Sequence, residues 1–264
     1  MAQVTTTPIT QLGADAEPVV RRIGMDDVWA SLSQGWQDFL EVPTQLFFLA
    51  IIYPVVGLLL GFAAAGGNLL TLVWPMTAGF ALIGPIAAVG IYEMSRRREQ
   101  GLPVSWTDAT AVFRSPGIAS IVGVGIVLAV LFVAWVAAAH WIYRTTVGLD
   151  QPESFADLWR IAFHTPEGMR LMLIGDIVGF LFAVVALSVS VVSIPLLLER
   201  DVGPVAAIRI SVRSVMVNPA PMALWGLLVA GLLVLGAIPV FVGLAVVMPV
   251  LGHATWHLYR KVIS

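Results

Sequence analysis

The chain has 264 residues, of which 59% are hydrophobic and 11% charged, with a mean hydropathy of +0.92. A soluble domain carries about 25% charged residues, so too few charges are present to cover a water-facing surface, and lipid must cover it instead. A net charge of -2 excludes a global field for nucleic acid, and the lack of cysteine excludes disulfides, thiolate metal sites and thiol catalysis.

Residues 1–20 are polar, without a basic n-region, and are predicted to be a disordered tail rather than a signal peptide. Residues 21–264 are predicted to form one integral membrane domain. Met25, Val28, Trp29, Leu32, Trp36, Phe39 and Leu40 recur at helical spacing before Pro43, which predicts an amphipathic helix with Asp26, Asp27 and Asp38 on its outer face. A spanning helix needs about 20 apolar residues. Spans are predicted near 46–65, 69–92, 118–143 and 171–198. The apolar run Met222–Leu258 is too long for one helix and is split near Gly236–Pro239 into 222–237 and 238–258.

Two internal patterns organise these spans. Pro75, Gly79, Ala81 and Pro85 match Pro239, Gly243, Ala245 and Pro249 as P-x3-G-x-A-x3-P, followed by Tyr92 with Arg96-Arg97 or Trp256 with Arg260-Lys261. Short amphipathic segments also precede the odd spans. Ser105-Trp-Thr-Asp108 reads as a capping box before Val112, Phe113 and Pro116, and Pro204 opens a stripe of Val205, Ile208, Val212, Val215 and Met216 that ends at Pro219. The expected fold is therefore all-α: a polytopic transmembrane bundle of about six spans, built from three parallel repeats of amphipathic helix plus two transmembrane helices. A further amphipathic helix, with Leu158, Trp159 and Phe163, is predicted between spans three and four on the outer side.

Placing both termini in the cytoplasm puts Arg21, Arg22, Arg96, Arg97, Arg98, Arg114, Arg200, Arg209, Arg213, Arg260 and Lys261 inside, against Arg144, Arg160 and Arg170 outside. That bias follows the positive-inside rule. The abundance of Arg beside the single Lys261 suggests a GC-rich bacterium, and hence the bacterial inner membrane.

The segments from Arg22-Ile-Gly-Met-Asp-Asp-Val-Trp, through Gly84-Pro85 and Gly90-Ile-Tyr-Glu-Met-Ser-Arg, to Asn218-Pro219 resemble an uncharacterised bacterial family of predicted integral membrane proteins. The repeat is more loosely similar to membrane domains attached to glycerophosphodiester phosphodiesterases. No phosphodiesterase domain is present, so that activity does not carry over.

Asp176 is the only acid inside an apolar span, where an ionisable group costs on the order of 2.5–3.5 kcal/mol. A proton- or ligand-coupling role is weighed against pairing with Arg170 near the outer boundary. His253 and His257, at i and i+4, share a helix face and form a weak metal- or haem-ligand pair, with no third ligand fixed by sequence. No metal or cofactor is assigned. His140 and His164 read as interfacial. Glu93 and His257 occupy equivalent repeat positions and suggest a shared inner vestibule, while Arg96, Arg97 and Arg98 serve anionic lipid or topology. Trp29, Trp36, Trp106 and Trp159 are placed on apolar helix faces. No P-loop, HExxH or GxSxG motif occurs, so the chain reads as a non-enzymatic scaffold, assembly or regulatory partner of other membrane components. The alternative is a small-solute or ion transporter. The partners implied are the bilayer and other membrane proteins or further copies of the chain.

Overall fold

The computed structural model describes residues 18–41, 71, 75, 82, 84–148, 152, 154–239 and 241–264. The expected span 46–65, half of 69–92, Gly79 and Ala81 of the first copy of the proline-glycine motif, and the tail before residue 18 lie outside the described residues. Those described form helices α1 (Met25–Glu41), α2 (Val89–Glu99), a 3-10 helix (Trp106–Arg114), α3 (Ile118–Thr146), α4 (Phe155–His164), α5 (Pro166–Ser190), α6 (Ser193–Glu199), α7 (Pro204–Val217), α8 (Pro219–Ala237) and α9 (Leu244–Val262). By length and composition, Ile118–Thr146, Pro166–Glu199 and Pro219–Ala237 are each able to cross a bilayer.

Local chemistry sets the boundaries. The Ser154 hydroxyl caps α4 by accepting from Asp157 N, and the Thr165 hydroxyl caps α5 by accepting from Gly168 N ahead of a proline in the first turn. The Ser105–Asp108 capping box is present, but it opens a 3-10 helix where an α-helix was expected. Tight packing accompanies it, because a Cβ on Gly90 would lie 2.8 Å from Ala109 Cβ.

The expected fourth span is two helices, broken at Val191-Val192. Pro195 supplies no N–H, and its ring opposes the carbonyl four residues back. The hydroxyls of Ser188 and Ser190 bond back to Val184 O and Ala186 O, which bends a helix. At the break, Val192 N donates instead to Ser211 Oγ of α7 at 3.1 Å. The long C-terminal apolar run turns back between α8 and α9. There Phe241 takes φ 64°, and Gly236 and Gly243 approach so closely that a Cβ on Gly243 would lie 2.8 Å from Gly236 Cα. Helix α9 thus starts at Leu244, later than the 238–258 span expected, and carries Pro249 inside it.

One end of the molecule, here called the base, gathers α1, α2, the 3-10 helix, α6, α7 and the C-terminal half of α9. Helix α1 lies on α9, the 3-10 helix on α2, and α7 on α6 and α5; α2, α6 and α9 also touch one another. The extended residues before α1 pair with the C-terminus through a bridge of Val20 with Ile263 and a bond from Arg21 N to Val262 O. Asn218, buried between α7 and α8, locks this arm in place. Its Oδ1 accepts from Ile23 N at 2.8 Å, and its Nδ2 donates to Arg21 O and Ser214 O. Helices α3 and α5 pack through Trp135 and Phe182, and α4 packs on α5 at the end remote from the base.

Candidate functional site

Most side-chain ion pairs lie in the base, and Asp38 is their centre. The sequence pattern places Asp38 on the outer face of α1; the structure turns it inward, 5% exposed. The reason is steric. The buried face of α1 runs through Val28, Ser31, Gly35 and Asp38, because a Cβ on Gly35 would lie 2.5 Å from Ala254 N of α9. Close backbone approach demands the small residue, and one helical turn later Asp38 reaches α2 and α9.

Its Oδ1 accepts from Arg98 Nη1 at 2.7 Å, and Arg98 also pairs with Glu41. Its Oδ2 accepts from Ser95 Oγ and meets His257 Nε2, both at 2.9 Å. His253 Nδ1 lies 2.6 Å from Ser95 Oγ and 3.7 Å from Asp38 Oδ2. A proton count fixes the tautomer. Ser95 spends its one hydroxyl proton on Asp38, so the short contact to His253 requires the proton on His253 Nδ1. His253, 1% exposed, then holds a bare Nε2 with no hydrogen-bond partner among the described residues. Burial pushes the Asp38 carboxyl up, but His257, Ser95 and His253 outweigh it and hold the acid below its ordinary value of 3.8.

Beside this node is a cleft of about 240 Å³ lined by Gln34, Gln37, Asp38, Ser95, Arg98, Glu99 and His257. A second node closes its edge. Glu99 accepts from Trp256 Nε1 at 3.1 Å and Arg260 Nε at 2.9 Å, while Arg260 Nη1 and the Tyr259 hydroxyl donate to Glu199. Burial, together with the bond to Glu199, holds the Tyr259 phenol well above its ordinary range.

The residues singled out from sequence separate into different places. His253 and His257 do share a face and converge on Asp38. Glu93 does not line the cleft; it takes a two-pronged bond from Arg96 at 2.8 and 2.9 Å. Arg97 meets Asp108 at 3.5 Å and Arg98 meets Asp38, so all three arginines of that run engage acids. Asp176 is exposed on α5 and forms no ion pair with Arg170. Six residues of helix set the two about 120° apart, on different faces. His140 and His164 lie towards the remote end. Trp29, Trp36 and Trp159 are exposed and off the packed faces. Among the described residues, no three His, Asp or Glu side chains are arranged to hold a metal ion. Sequence reasoning missed Asp38 and Ser95 as partners of the histidines. The signal was the i, i+3 or i+4 sequence of small and polar residues Ser31, Gly35 and Asp38 within α1.

Residues 73–199 match the family described as "Predicted integral membrane protein (DUF2189)". That segment contains Ser95, Arg98, Glu99 and Glu199, and it is similar to an uncharacterised family of membrane domains. The chain is a multi-pass integral membrane protein. No curated protein and no solved structure matches it. Asp38, His253 and His257 lie outside the matched segment.

Proposed function

We propose that this protein is a non-enzymatic membrane scaffold, which assembles or regulates other membrane components by docking them on α1. The observation that carries this reading is the exposed face of that helix. Trp29 is 51% and Trp36 46% exposed, with Met25 and Leu40 beside them. Large aromatics left uncovered at helical spacing suit a protein partner. The neighbouring Asp26 and Asp27 oppose an anionic lipid surface, so protein is the better match.

The polar base supports the same reading. The ions around Asp38 and Glu99 are spent on one another, and Ser95 has both hydrogen-bonding directions occupied by Asp38 and His253, which leaves no activated nucleophile. The contacts of α1 on α9, the 3-10 helix on α2 and α7 on α6 favour three repeats closed in a ring, each amphipathic element seated on the helix that ends the preceding unit. The base faces the cytoplasm of a bacterial inner membrane, as the excess of Arg and Lys on its side favours. A transporter draws on the helix break at Val191-Val192, yet that break is buried and its free amide is taken up by Ser211.

Purification from native membranes in mild detergent tests the scaffold. The wild type retains a defined partner protein, and Trp29→Ser/Trp36→Ser loses it while remaining folded. Recovery of the wild type alone contradicts the proposal.

A further inference from the structure

Helix α7 presents a surface of opposite character to α1. Its buried face is mostly small, with Ala207, Ser211 and Ser214 beside Ile210. Of its apolar stripe, Ile208 and Val215 pack against the core, whereas Val205 and Met216 turn outward, 69% and 75% exposed. Arg209 and Arg213 are exposed between them, one helical turn apart. Helix α7 contains no acid. Asp201, just before it, accepts from Ser120 Oγ at 2.7 Å.

Four arginines of the base differ in this respect. Arg96, Arg97, Arg98 and Arg260 each meet a carboxylate. Arg209 and Arg213 have no ion-pair or hydrogen-bond partner among the described residues. Helix α7 also runs directly, through Asn218, into α8, which is apolar and long enough to span. Its C-terminal end therefore sits where a spanning segment enters the bilayer.

We propose that α7 binds the headgroups of anionic phospholipids on the base side of the membrane. Side chains three and four apart on a helix are about 5–6 Å apart at Cβ. Two guanidinium forks at that spacing flank one phosphodiester, each donating to its oxygens. Val205 and Met216 insert into the acyl boundary on either side and remove their surface from water, as in an interfacial helix with cations beside an apolar face. Occupancy by lipid accounts for both exposures at once. An aqueous surface would leave the apolar residues uncovered, and a purely hydrocarbon surface would leave the two cations unpaired.

The test uses the full chain in nanodiscs of phosphatidylcholine containing a minor fraction of photoactivatable phosphatidylglycerol, or in parallel photoactivatable phosphatidylcholine. Adducts are located by peptide mass spectrometry. Phosphatidylglycerol adducts concentrate in residues 204–217 and exceed phosphatidylcholine adducts there. Arg209→Gln/Arg213→Gln lowers the phosphatidylglycerol yield by about thirtyfold, the order expected for removing two interfacial cations, and Arg209→Lys/Arg213→Lys keeps most of it. Equal labelling by the two lipids, or a yield unchanged by the Gln pair, overturns the site. Should the Gln pair fail to fold, the wild-type map decides alone: labelling that avoids 204–217 overturns it.

Discussion

A single buried carboxylate can hold helices together only if its charge is matched, and Asp38 is matched from two sides. Arg98 of α2 and His257 of α9 both converge on it, so α1, α2 and α9 share one ionic centre. Removing Asp38 leaves Ser95 and His257 without their acceptor while Arg98 keeps Glu41, and hydrogen bonds to a charged group are worth about 1.5–3 kcal/mol. Asp38→Ala should destabilise the folded protein by roughly that amount, read as a lowered midpoint of thermal unfolding in detergent; a change within error would show the pair to be inert. The pH dependence has a definite sign. The folded acid titrates below its ordinary 3.8, so its contribution is complete above that value and fades as the pH falls through the lowered one. The wild type should therefore lose stability on acidification below about pH 4 more steeply than Asp38→Ala. The histidine pair was legible in the sequence from its spacing alone. Its partner was not, since Asp38 lies 219 residues before His257, and charge pattern assigns an acid on an amphipathic helix to solvent.

Elements were legible wherever the hydrophobic pattern was long. The runs at 118–143 and 222–237 appear as α3 and α8 with boundaries shifted by a few residues, because the flanking turns also satisfy helical bonding. The amphipathic helices were legible as helices, but only part of each apolar stripe faces the core. Period alone predicts that bulky residues face the core. In α1 and α7 the packed face combines Val28, Phe39 and Ile210 with the small residues Ser31, Gly35, Ala207, Ser211 and Ser214, which let backbones approach, while Trp29, Trp36, Val205 and Met216 stay outside. Gly35 carries this most directly. In Gly35→Val the new side chain would collide with Ala254 backbone atoms rather than with a flexible side-chain tip, forcing α1 off α9. A loss of about 1–3 kcal/mol is expected from such overpacking, checked by thermal unfolding with Ser33→Val on the exposed face as control. Equal midpoints for the two variants would show that α1 is not seated against α9.

At the scale of the whole molecule, composition alone made a membrane protein legible, since 11% charged residues cannot clothe a soluble surface. What composition could not supply is the concentration of ionic pairs at one end, which depends on residues distant in sequence. That asymmetry gives a direct topological expectation. The chain has no cysteine, so single cysteines report without background. A cysteine at Gln37 should react with a membrane-impermeant maleimide only after the membrane is opened, and one at Arg160 in intact spheroplasts; the reverse pattern would turn the base outward.

The scaffold itself is tested most directly by what stays bound to α1. Purified in mild detergent from native membranes, the wild type should carry a stoichiometric protein partner. Trp29→Ser/Trp36→Ser should lose it, and Asp176→Asn should keep it. A wild-type protein recovered without any partner, or a partner retained equally by the tryptophan variant, would contradict docking through α1.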